Sequence, residues 1–365
     1  MRILFLNQYF PPDPAPTGIL FRELGDYLRA QGHEVEYVSS AQSYRSTKKN
    51  QRRLVREFSA LGSIFWGGIK ARKPDVVVSG SSPPCLLVVA ALVAARHGAK
   101  SAHWLMDMYP ELAVALGEVK PGLVSKITGK LMGWGYRRTK LTVALDEDMS
   151  DRLKKYGVES EIIPPWVLGP FTAPAAPVEP SVEWTWLYSG NLGRAHEWET
   201  LLEAQALLEK RGLPCRLAFQ GGGPSRPLAQ KRAAELNLRQ CDWKDYAPEA
   251  ELQSSLLRAR VLVITQKPET QGLLWPSKLA LAATLPRPIL WVGPVDGAIA
   301  RQVGKLRHAG IFAPGHPEQI AGWLQKLYED GMPPLPGGDP ASQRALLMQK
   351  WTRLLQELCG SRSVS

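Results

Sequence analysis

The chain has few of the residues from which disulfide frameworks and metal sites are built. Its 365 residues include four cysteines and six histidines. The cysteines, at positions 85, 215, 241 and 359, show no Cys-x-x-Cys spacing. This pattern argues against a disulfide framework and a structural zinc site, and it fits a protein of the reducing cytoplasm.

Long apolar runs and the common nucleotide fingerprints are also missing. The longest apolar run, residues 85–95, is well below the ~20 residues that a membrane-spanning helix needs. The apolar run at the amino terminus is too short for a signal-peptide core, and we interpret it as a first strand. Neither Gly-x-Gly-x-x-Gly nor the P-loop pattern occurs, so neither pattern defines the ligand.

The chain has 34 Asp and Glu residues against 45 Lys and Arg, and its formal net charge is +11. Such a charge favours phosphate-rich partners: nucleic acid, anionic lipid head groups or nucleotides. Two segments of the N-terminal half, residues 45–73 and 120–140, interleave Lys and Arg with large apolar residues. Each segment fits either a solvated helix over the core or a surface that docks on an anionic membrane. No nucleic-acid reader motif accompanies them, so we predict no nucleic-acid partner.

Strand-like runs alternate with helical patterns along both halves of the chain, which predicts an α/β protein with parallel sheets. Residues 168–183 contain Pro170, Pro174, Pro177 and Pro180 and read as a linker. We therefore predict two Rossmann-like domains, residues 1–167 and 184–342. A final amphipathic helix in residues 343–365 is expected to pack back towards the first domain.

Residues 186–198 organise the second half and predict a strand, a glycine turn and a helix. Gly190 and Gly193 permit positive φ and close backbone approach. We place Arg194 at the start of the helix, where free N–H groups and the helix dipole favour a phosphate. An ordinary turn of a doubly wound sheet fits the same pattern.

Two groups of acidic residues are candidates for chemistry. Asp107 follows a predicted strand at residues 102–106, at the sheet edge where open α/β folds bind ligands. It fits either a helix N-cap or structural acid, or a group that orients the acceptor or acts as a base. Asp146 and Asp148 match the Asp-x-Asp signature of metal-dependent sugar transferases, but we interpret them as the N-cap and first turn of a helix.

The motifs of the chain, taken together and in order, resemble those of GT-B glycosyltransferases of the retaining family 4, in particular the bacterial branch that builds surface polysaccharides. The resemblance runs nearly end to end. The motifs are Asn7-Gln-Tyr-Phe-Pro-Pro12, Gly32-His33-Glu34-Val35, Asp107-Met-Tyr-Pro-Glu111, Ile163-Pro-Pro-Trp166, Tyr188-Ser-Gly-Asn-Leu-Gly-Arg194, Gly221-Gly-Gly-Pro224, Glu269-Thr-Gln-Gly272 and Pro276-Ser-Lys278.

The resemblance implies two Rossmann-like domains that face a central cleft, with a nucleotide-sugar donor in the second domain and the acceptor in the first. Arg194 and Lys278 would clamp the donor pyrophosphate without a metal or another cofactor, Glu269 would lie near the donor sugar, and Asp107 would serve the acceptor. The implied donor-binding residues are Thr17, Gly18, Gly190, Asn191, Gly193, Gly222, Gly272 and Ser277.

The chain departs from the family pattern at several positions. Leu281 stands where the family has a second glutamate that holds the ribose, and Met106 stands where a histidine is common. The glycine loop at Gly18 has one glycine, and Pro286 replaces a glycine. His103 is expected to lie in the core or to support a residue of the site. His196 could help to bind the pyrophosphate, but it is expected to be solvated.

The resemblance implies a hexosyltransferase that acts with retention on a lipid-linked, polyprenyl-pyrophosphate acceptor at the cytoplasmic face of the membrane. The basic segments would hold it there. Two alternatives stay open: a catalytically silent sugar-nucleotide-binding or assembly subunit, which Leu281 favours, and a two-domain nucleotide-sugar epimerase.

Overall fold

The structure is a computed structural model, and it describes residues 1–13, 15–40, 53–169, 171, 180–306, 308–331 and 335–360. The chain divides into two compact units. The first comprises Met1–Leu168, Gly272–Trp275 and Ser342–Ser365, and the second comprises Gly169–Gln271 and Pro276–Ala341. Of the predicted linker, residues 170 and 172–179 lie outside the described residues. The assignment of residues 272–275 to the first unit has no counterpart in the sequence-based domain boundaries.

The first unit is built on a six-stranded sheet of order β2-β1-β3-β4-β5-β6, in which every pair of neighbours is parallel. Its elements are β1 (Arg2–Leu6), α1 (Pro16–Ala30), β2 (Glu34–Val38), α2 (Arg53–Lys70), β3 (Val76–Ser79), α3 (Leu86–His97), β4 (Lys100–Trp104), α4 (Glu111–Ala115), α5 (Leu123–Arg138), β5 (Leu141–Ala144), α6 (Glu147–Lys154) and β6 (Glu161–Ile162).

The second unit is also built on a six-stranded parallel sheet, of order β12-β11-β10-β7-β8-β9. Its elements are β7 (Trp184–Ser189), α7 (Glu199–Lys210), β8 (Cys215–Gln220), α8 (Arg226–Glu235), β9 (Cys241–Lys244), α9 (Glu249–Arg258), β10 (Val261–Thr265), a 3₁₀ turn (Pro268–Thr270), α10 (Lys278–Ala282), β11 (Ile289–Val292), α11 (Ala298–Gly304), β12 (Gly310–Phe312) and α12 (Pro317–Asp330). The predicted α/β class with two parallel sheets is confirmed.

The last helix, α13 (Pro340–Cys359), packs on the first unit. The Trp351 ring is fully buried and lies 5.0 Å from the Trp104 ring, between their centroids. The Lys350 ammonium donates to the carbonyl of Ile162 at 3.0 Å. Because α13 shares both an apolar and a polar contact with this unit, its burial contributes to the stability of the unit. No helix in the described part of the chain is long and apolar enough to cross a bilayer.

Strand β4 ends at Trp104, two residues before the predicted end. The N–H of Leu105 still donates to Val143 on the neighbouring strand at 2.9 Å. The next N–H, that of Met106, donates instead to the Ser81 hydroxyl at 2.7 Å. The serine thus replaces the strand partner and ends the ladder, which leaves the following residues in a loop.

Helix α7 begins at Glu199, so the prediction that Arg194 starts this helix is wrong. The N–H of Gly190 donates to the carbonyl of Gln220, the last residue of β8, and the N–H of Leu192 donates to the carbonyl of Gly222 in the loop after it, at 2.7 Å each. These backbone hydrogen bonds tie residues 190–192 to the neighbouring strand and its loop, and the helix begins only after them. The sequence spacing of Leu201, Leu202 and Leu208, every three or four positions, predicts one buried face of this helix, and all three side chains are fully buried.

Asp146 caps helix α6, as predicted. Its Oδ1 accepts the N–H of Met149 at 2.8 Å. We expect Asp146→Ala to lower the free energy of unfolding by about 1 kcal/mol, because one buried N–H of the first helical turn loses its acceptor. The measurement is chemical denaturation at about pH 8, since burial raises the pKa of Asp146 to about 6.

Asp151→Ala is the matched control for this prediction. Asp151 lies on the same helix and forms an exposed ion pair with Lys154. Its removal is expected to change the free energy of unfolding by no more than about 0.5 kcal/mol. Equal losses in the two variants would contradict the capping role of Asp146.

Candidate functional site

The Lys278 ammonium occupies a defined position in the second unit. Its Nζ lies 3.2 Å from Nε2 of His196 and 3.4 Å from the carbonyl oxygen of Asn191. It also lies 4.6 Å from the centroid of the Tyr188 ring, over its face, which is a cation–π contact. We call these four residues the lysine cluster. It joins β7 and the loop after it to the first residue of α10.

Gly190 makes room for the lysine side chain. Its φ is +127°, a conformation that favours glycine, and a Cβ at this position would lie 2.6 Å from Cε of Lys278. The Tyr188 hydroxyl donates to the Asn191 carbonyl at 2.9 Å, which fixes the oxygen that faces the ammonium. The loop therefore holds the lysine through its backbone as well as through side chains.

The two glycine loops of the second unit lock together. The N–H of Leu192 donates to the carbonyl of Gly222 at 2.7 Å, and the N–H of Ser225 donates to the carbonyl of Leu192 at 3.1 Å. Gly223 has φ +128°, and a Cβ there would clash with the backbone of Leu192. Gly190, Asn191, Gly193 and Gly222 are thereby brought together with Lys278.

The charges of the lysine cluster are set by burial. Burial lowers the pKa of the Lys278 ammonium to about 7. Burial and the neighbouring Lys278 charge lower the pKa of His196 to about 3, so this imidazole is neutral at physiological pH. The Nδ1–H of His196 donates to the carbonyl of Thr265 at 3.0 Å. The prediction of a solvated His196 is therefore wrong.

Arg194 and Glu269 lie on two loops that are joined by a backbone hydrogen bond. The N–H of Lys267 donates to the carbonyl of Ala195, next to Arg194, at 2.8 Å. Glu269 follows two residues later in the 3₁₀ turn, and its side chain is exposed, as is that of Arg194. Ser277 is also exposed and directly precedes Lys278. Arg194 and Glu269 are thus exposed residues on two connected loops.

Gly272 belongs to the first unit and is not part of the lysine cluster. Its φ is +66°, and a Cβ there would lie 2.8 Å from the backbone carbonyl of Asp148. The glycine is thus explained by close packing on the start of α6. This packing is a different reason from the donor contact that the family resemblance implies.

Thr17 and Gly18 lie in the first turn of α1, so the prediction of a glycine loop at this point is wrong. A Cβ on Gly18 would clash with the carbonyl of Tyr9. The buried Asn7 donates through Nδ2 to the same carbonyl at 2.9 Å and to the Thr17 hydroxyl at 3.5 Å. Gly18 therefore lets the loop after β1 cross the start of the helix.

Asp107 lies in the loop after β4 and forms an antiparallel bridge with Leu274. Its neighbour Met108 donates its N–H to the Leu273 carbonyl at 2.8 Å. The N-cap of the following helix, α4, is Pro110, so the N-cap interpretation of Asp107 is wrong. Burial raises the pKa of Asp107 to about 6, close to the range in which a carboxylate acts as a general base near neutral pH.

His103 lies in the core of the first unit, as predicted. It is fully buried, and its Nδ1 lies 3.0 Å from the Ser79 hydroxyl. Burial lowers the pKa of His103 to about 3. His103 is therefore a neutral core residue. It does not take the place of the family histidine, whose position Met106 occupies in this chain.

Sequence reasoning missed Tyr246, an exposed aromatic residue beside the glycine loops. Its ring lies next to Gly221 and Gly222, where added Cβ atoms would meet it at 3.1 and 3.2 Å. Its hydroxyl lies 3.5 Å from Oδ1 of Asn191. An aromatic residue just after a strand could have indicated Tyr246. The sequence pattern does not predict that strand, β9.

The described residues contain no group of three or more His, Cys, Asp and Glu side chains that could hold a metal ion. The lysine cluster carries one cation, the Lys278 ammonium, and Arg194 on the loop after β7 carries another.

Comparisons with known proteins find similarity to glycosyltransferases. Residues 17–167 match the family model for Glycosyltransferase Family 4. A probable glycosyltransferase of Pseudomonas aeruginosa, WbjE, is 24% identical over 335 residues, which cover 86% of this chain and 81% of the relative.

Solved structures show the same fold. Sucrose-phosphate synthase from Thermosynechococcus elongatus has a TM-score of 0.72 at 15% identity and covers 99% of this chain and 100% of its own. Anabaena HepE in complex with UDP has a TM-score of 0.66 at 14% identity, over 98% of this chain and 100% of its own. HepE is also known in complex with UDP-glucose, with a TM-score of 0.63, 14% identity and full coverage of both chains.

Proposed function

We propose that this GT-B glycosyltransferase, whose residues 17–167 match the family 4 model, moves a hexose from a nucleotide-diphosphate sugar to a lipid-linked, polyprenyl-pyrophosphate glycan. The observation that carries the proposal is the lysine cluster, which holds one ammonium beside two glycine loops. The fold neighbour HepE binds UDP and UDP-glucose, which supports a donor of this class.

The proposed chemistry rests on charge at the leaving group. When the sugar bond breaks, negative charge develops on the departing nucleotide diphosphate. Fixed cations that meet this charge lower the barrier. Lys278 and Arg194 would supply these cations, and Glu269 would bind hydroxyls of the donor sugar. Retention of configuration is proposed from the resemblance to the retaining family.

Asp107 is the proposed residue for the acceptor. Its raised pKa, near 6, leaves it ionised at neutral pH and able to accept a proton or a hydrogen bond from a sugar hydroxyl. The family glutamate that holds the ribose is absent from this chain, because its position is occupied by Leu281. Tyr246, exposed beside Gly221 and Gly222, is the candidate for contact with the nucleoside instead.

A panel of UDP-, GDP- and ADP-sugars tests the donor class. We expect one nucleotide series to raise the melting temperature, because a ligand that binds the folded state alone stabilises it. The stabilising donor should then release nucleotide diphosphate slowly without acceptor and faster with a polyprenyl-pyrophosphate glycan.

Two outcomes would contradict the proposal and favour its alternatives. Binding without any release of nucleotide diphosphate would favour a silent sugar-nucleotide-binding subunit. Conversion of the donor into an epimeric sugar would favour the epimerase. Absence of binding across the whole panel would overturn both the transferase and these alternatives.

The exposed face of α5 supports the proposed membrane contact. Leu123, Ile127 and Leu131 recur every four residues and are exposed, with Leu123 at 73%. The exposed Lys126 and Lys130 flank this apolar stripe. An apolar stripe with flanking cations is the pattern of a helix that lies in an anionic membrane surface. Of the segment 45–73, residues 45–52 lie outside the described residues, while Phe58 and Trp66 on α2 are exposed.

We expect the double variant Lys126→Ala, Lys130→Ala to bind anionic liposomes about 30-fold more weakly, because each lysine near the surface contributes about 1 kcal/mol. Ile127→Asp should weaken binding further by placing a charge in the apolar stripe. Sedimentation with phosphatidylglycerol vesicles measures both effects.

Matched controls lie in the second unit. Leu228 is an exposed leucine of α8 and Lys305 is an exposed lysine. Leu228→Asp and Lys305→Ala should leave liposome binding unchanged. Binding that falls equally in controls and α5 variants, or binding to neutral vesicles of equal strength, would refute the proposed surface.

A further inference from the structure

We infer that His196 is the positioning residue of Lys278: its neutral imidazole accepts a hydrogen bond from the ammonium and holds it towards the donor diphosphate. This inference rests on the proposed function and deepens it. In this inference His196 does not contact the phosphates. It affects donor binding only by orienting Lys278.

The tautomer of His196 follows from its neighbours. A backbone carbonyl oxygen only accepts, so the contact of Nδ1 with Thr265 requires the proton on Nδ1. The other nitrogen, Nε2, then carries a lone pair, and it lies 3.2 Å from Nζ of Lys278. The ammonium has only donors, so the direction of this hydrogen bond is fixed as well.

The ring is held in place by three different elements. Thr265, at the end of β10, fixes the Nδ1 side. Tyr188 of β7 packs on the imidazole in a T-shaped arrangement, with 5.7 Å between ring centroids. Lys278 approaches from α10. A ring fixed on two sides presents its lone pair in one direction, which is the requirement for orienting a flexible lysine.

The ammonium retains one proton for a ligand. Of its three N–H groups, one meets His196 and one meets the Asn191 carbonyl, among the residues that the structure describes. The Tyr188 ring lies against another side of Nζ. These partners leave the third N–H to bind a phosphate oxygen without breaking the other contacts.

The charge of His196 is consistent with this role. An imidazolium would repel the ammonium, whereas the neutral ring stabilises it. The pKa of His196, lowered to about 3, keeps the ring neutral wherever the enzyme works. The other titratable member of the lysine cluster is Tyr188, whose pKa is raised well above its usual value by burial and by the neighbouring Tyr246. Lys278 is thus the group of the cluster whose pKa lies near neutrality.

A double-mutant cycle separates positioning from a merely structural role. The probe is UDP-glucose or, if the panel selects another donor, that nucleotide sugar, titrated by calorimetry. We expect His196→Phe, which keeps a ring but removes the acceptor, to weaken donor binding about tenfold. In the Lys278→Ala background, the same change should have no further effect.

Two more readouts belong to the proposal. Since the imidazole favours the charged lysine, its loss should move the pH at which donor affinity begins to fall to a lower value. His196→Gln, whose side-chain oxygen is an acceptor, should recover most of the affinity. His316→Phe changes an exposed histidine at the start of α12 and should leave affinity and its pH profile unchanged.

The outcomes distinguish the inference from the proposed function. If Lys278→Ala does not weaken donor binding, the proposed function fails. If Lys278→Ala weakens it but His196→Phe adds the same loss with and without the lysine, His196 acts independently and the inference alone is wrong. Melting temperatures of all variants show whether a loss comes from unfolding; should His196→Phe be unfolded, the glutamine variant and its pH profile decide.

Discussion

Lys278→Ala is expected to lower kcat/KM for the donor at least about 100-fold. The loss of one fixed charge or donor at a developing anion typically costs a factor of about 10² to 10³. Here the ammonium is held by Asn191, His196 and Tyr188, on β7 and the glycine loop after it, so solvent cannot simply replace it. Release of nucleotide diphosphate under initial-rate conditions measures the effect.

Lys210→Ala is the matched control for this experiment. Lys210 is an exposed lysine at the end of α7, outside the lysine cluster. Its loss should change kcat/KM by less than about twofold. A Lys278→Ala enzyme that keeps more than a third of the wild-type kcat/KM would refute the proposed role of the lysine. The variant should also melt at a higher temperature, because it no longer desolvates a charged group.

Donor affinity is expected to fall up to tenfold for each pH unit above about 7. The pKa of Lys278 in the free protein is lowered to about 7 by burial, while the bound diphosphate favours the ammonium. Below pH 7 the lysine is already protonated and affinity is constant. Above it, each donor that binds takes up a proton, so affinity decreases until the pH reaches the pKa of the complex. Calorimetry with a nucleotide sugar in buffers of different ionisation enthalpy measures both affinity and proton uptake.

Lys278→Arg provides the control for this pH dependence. A guanidinium stays protonated throughout this range, so the variant should bind with an affinity that is flat between about pH 6 and 9, whatever its absolute value. Nucleotide sugars carry two esterified phosphates and do not titrate there. A wild-type affinity that is equally flat would show that the ammonium is not the titrating group.

Much of the fold is predictable from the sequence because the central strands are continuous apolar runs. Residues 261–265 and 289–292 are buried on both faces, as expected for parallel strands under helices on both sides. The short strands β9 and β12 were not predicted. Strand β9 carries Asp242 and Lys244 at a sheet edge, where half-exposed charged residues remove the apolar signal.

The candidate site is less predictable, since its geometry depends on contacts between distant residues. The glycines and Arg194 form a local pattern that the sequence shows directly. The contact of His196 with Lys278 joins residues 82 positions apart, and no local pattern marks it. The desolvation that changes both pKa values is likewise a property of the packed structure.

Because the segment Gly272–Trp275 belongs to the first unit, a single cut in the linker does not separate the two units. Cutting at the proline-rich linker would give a fragment, residues 1–168, that lacks the Leu273 carbonyl for Met108 and the bridge between Leu274 and Asp107. It would also lack the Trp351 side chain that covers Trp104. During synthesis, the half that begins to emerge from the ribosome first is therefore the half that is completed last, when the carboxyl-terminal helix arrives.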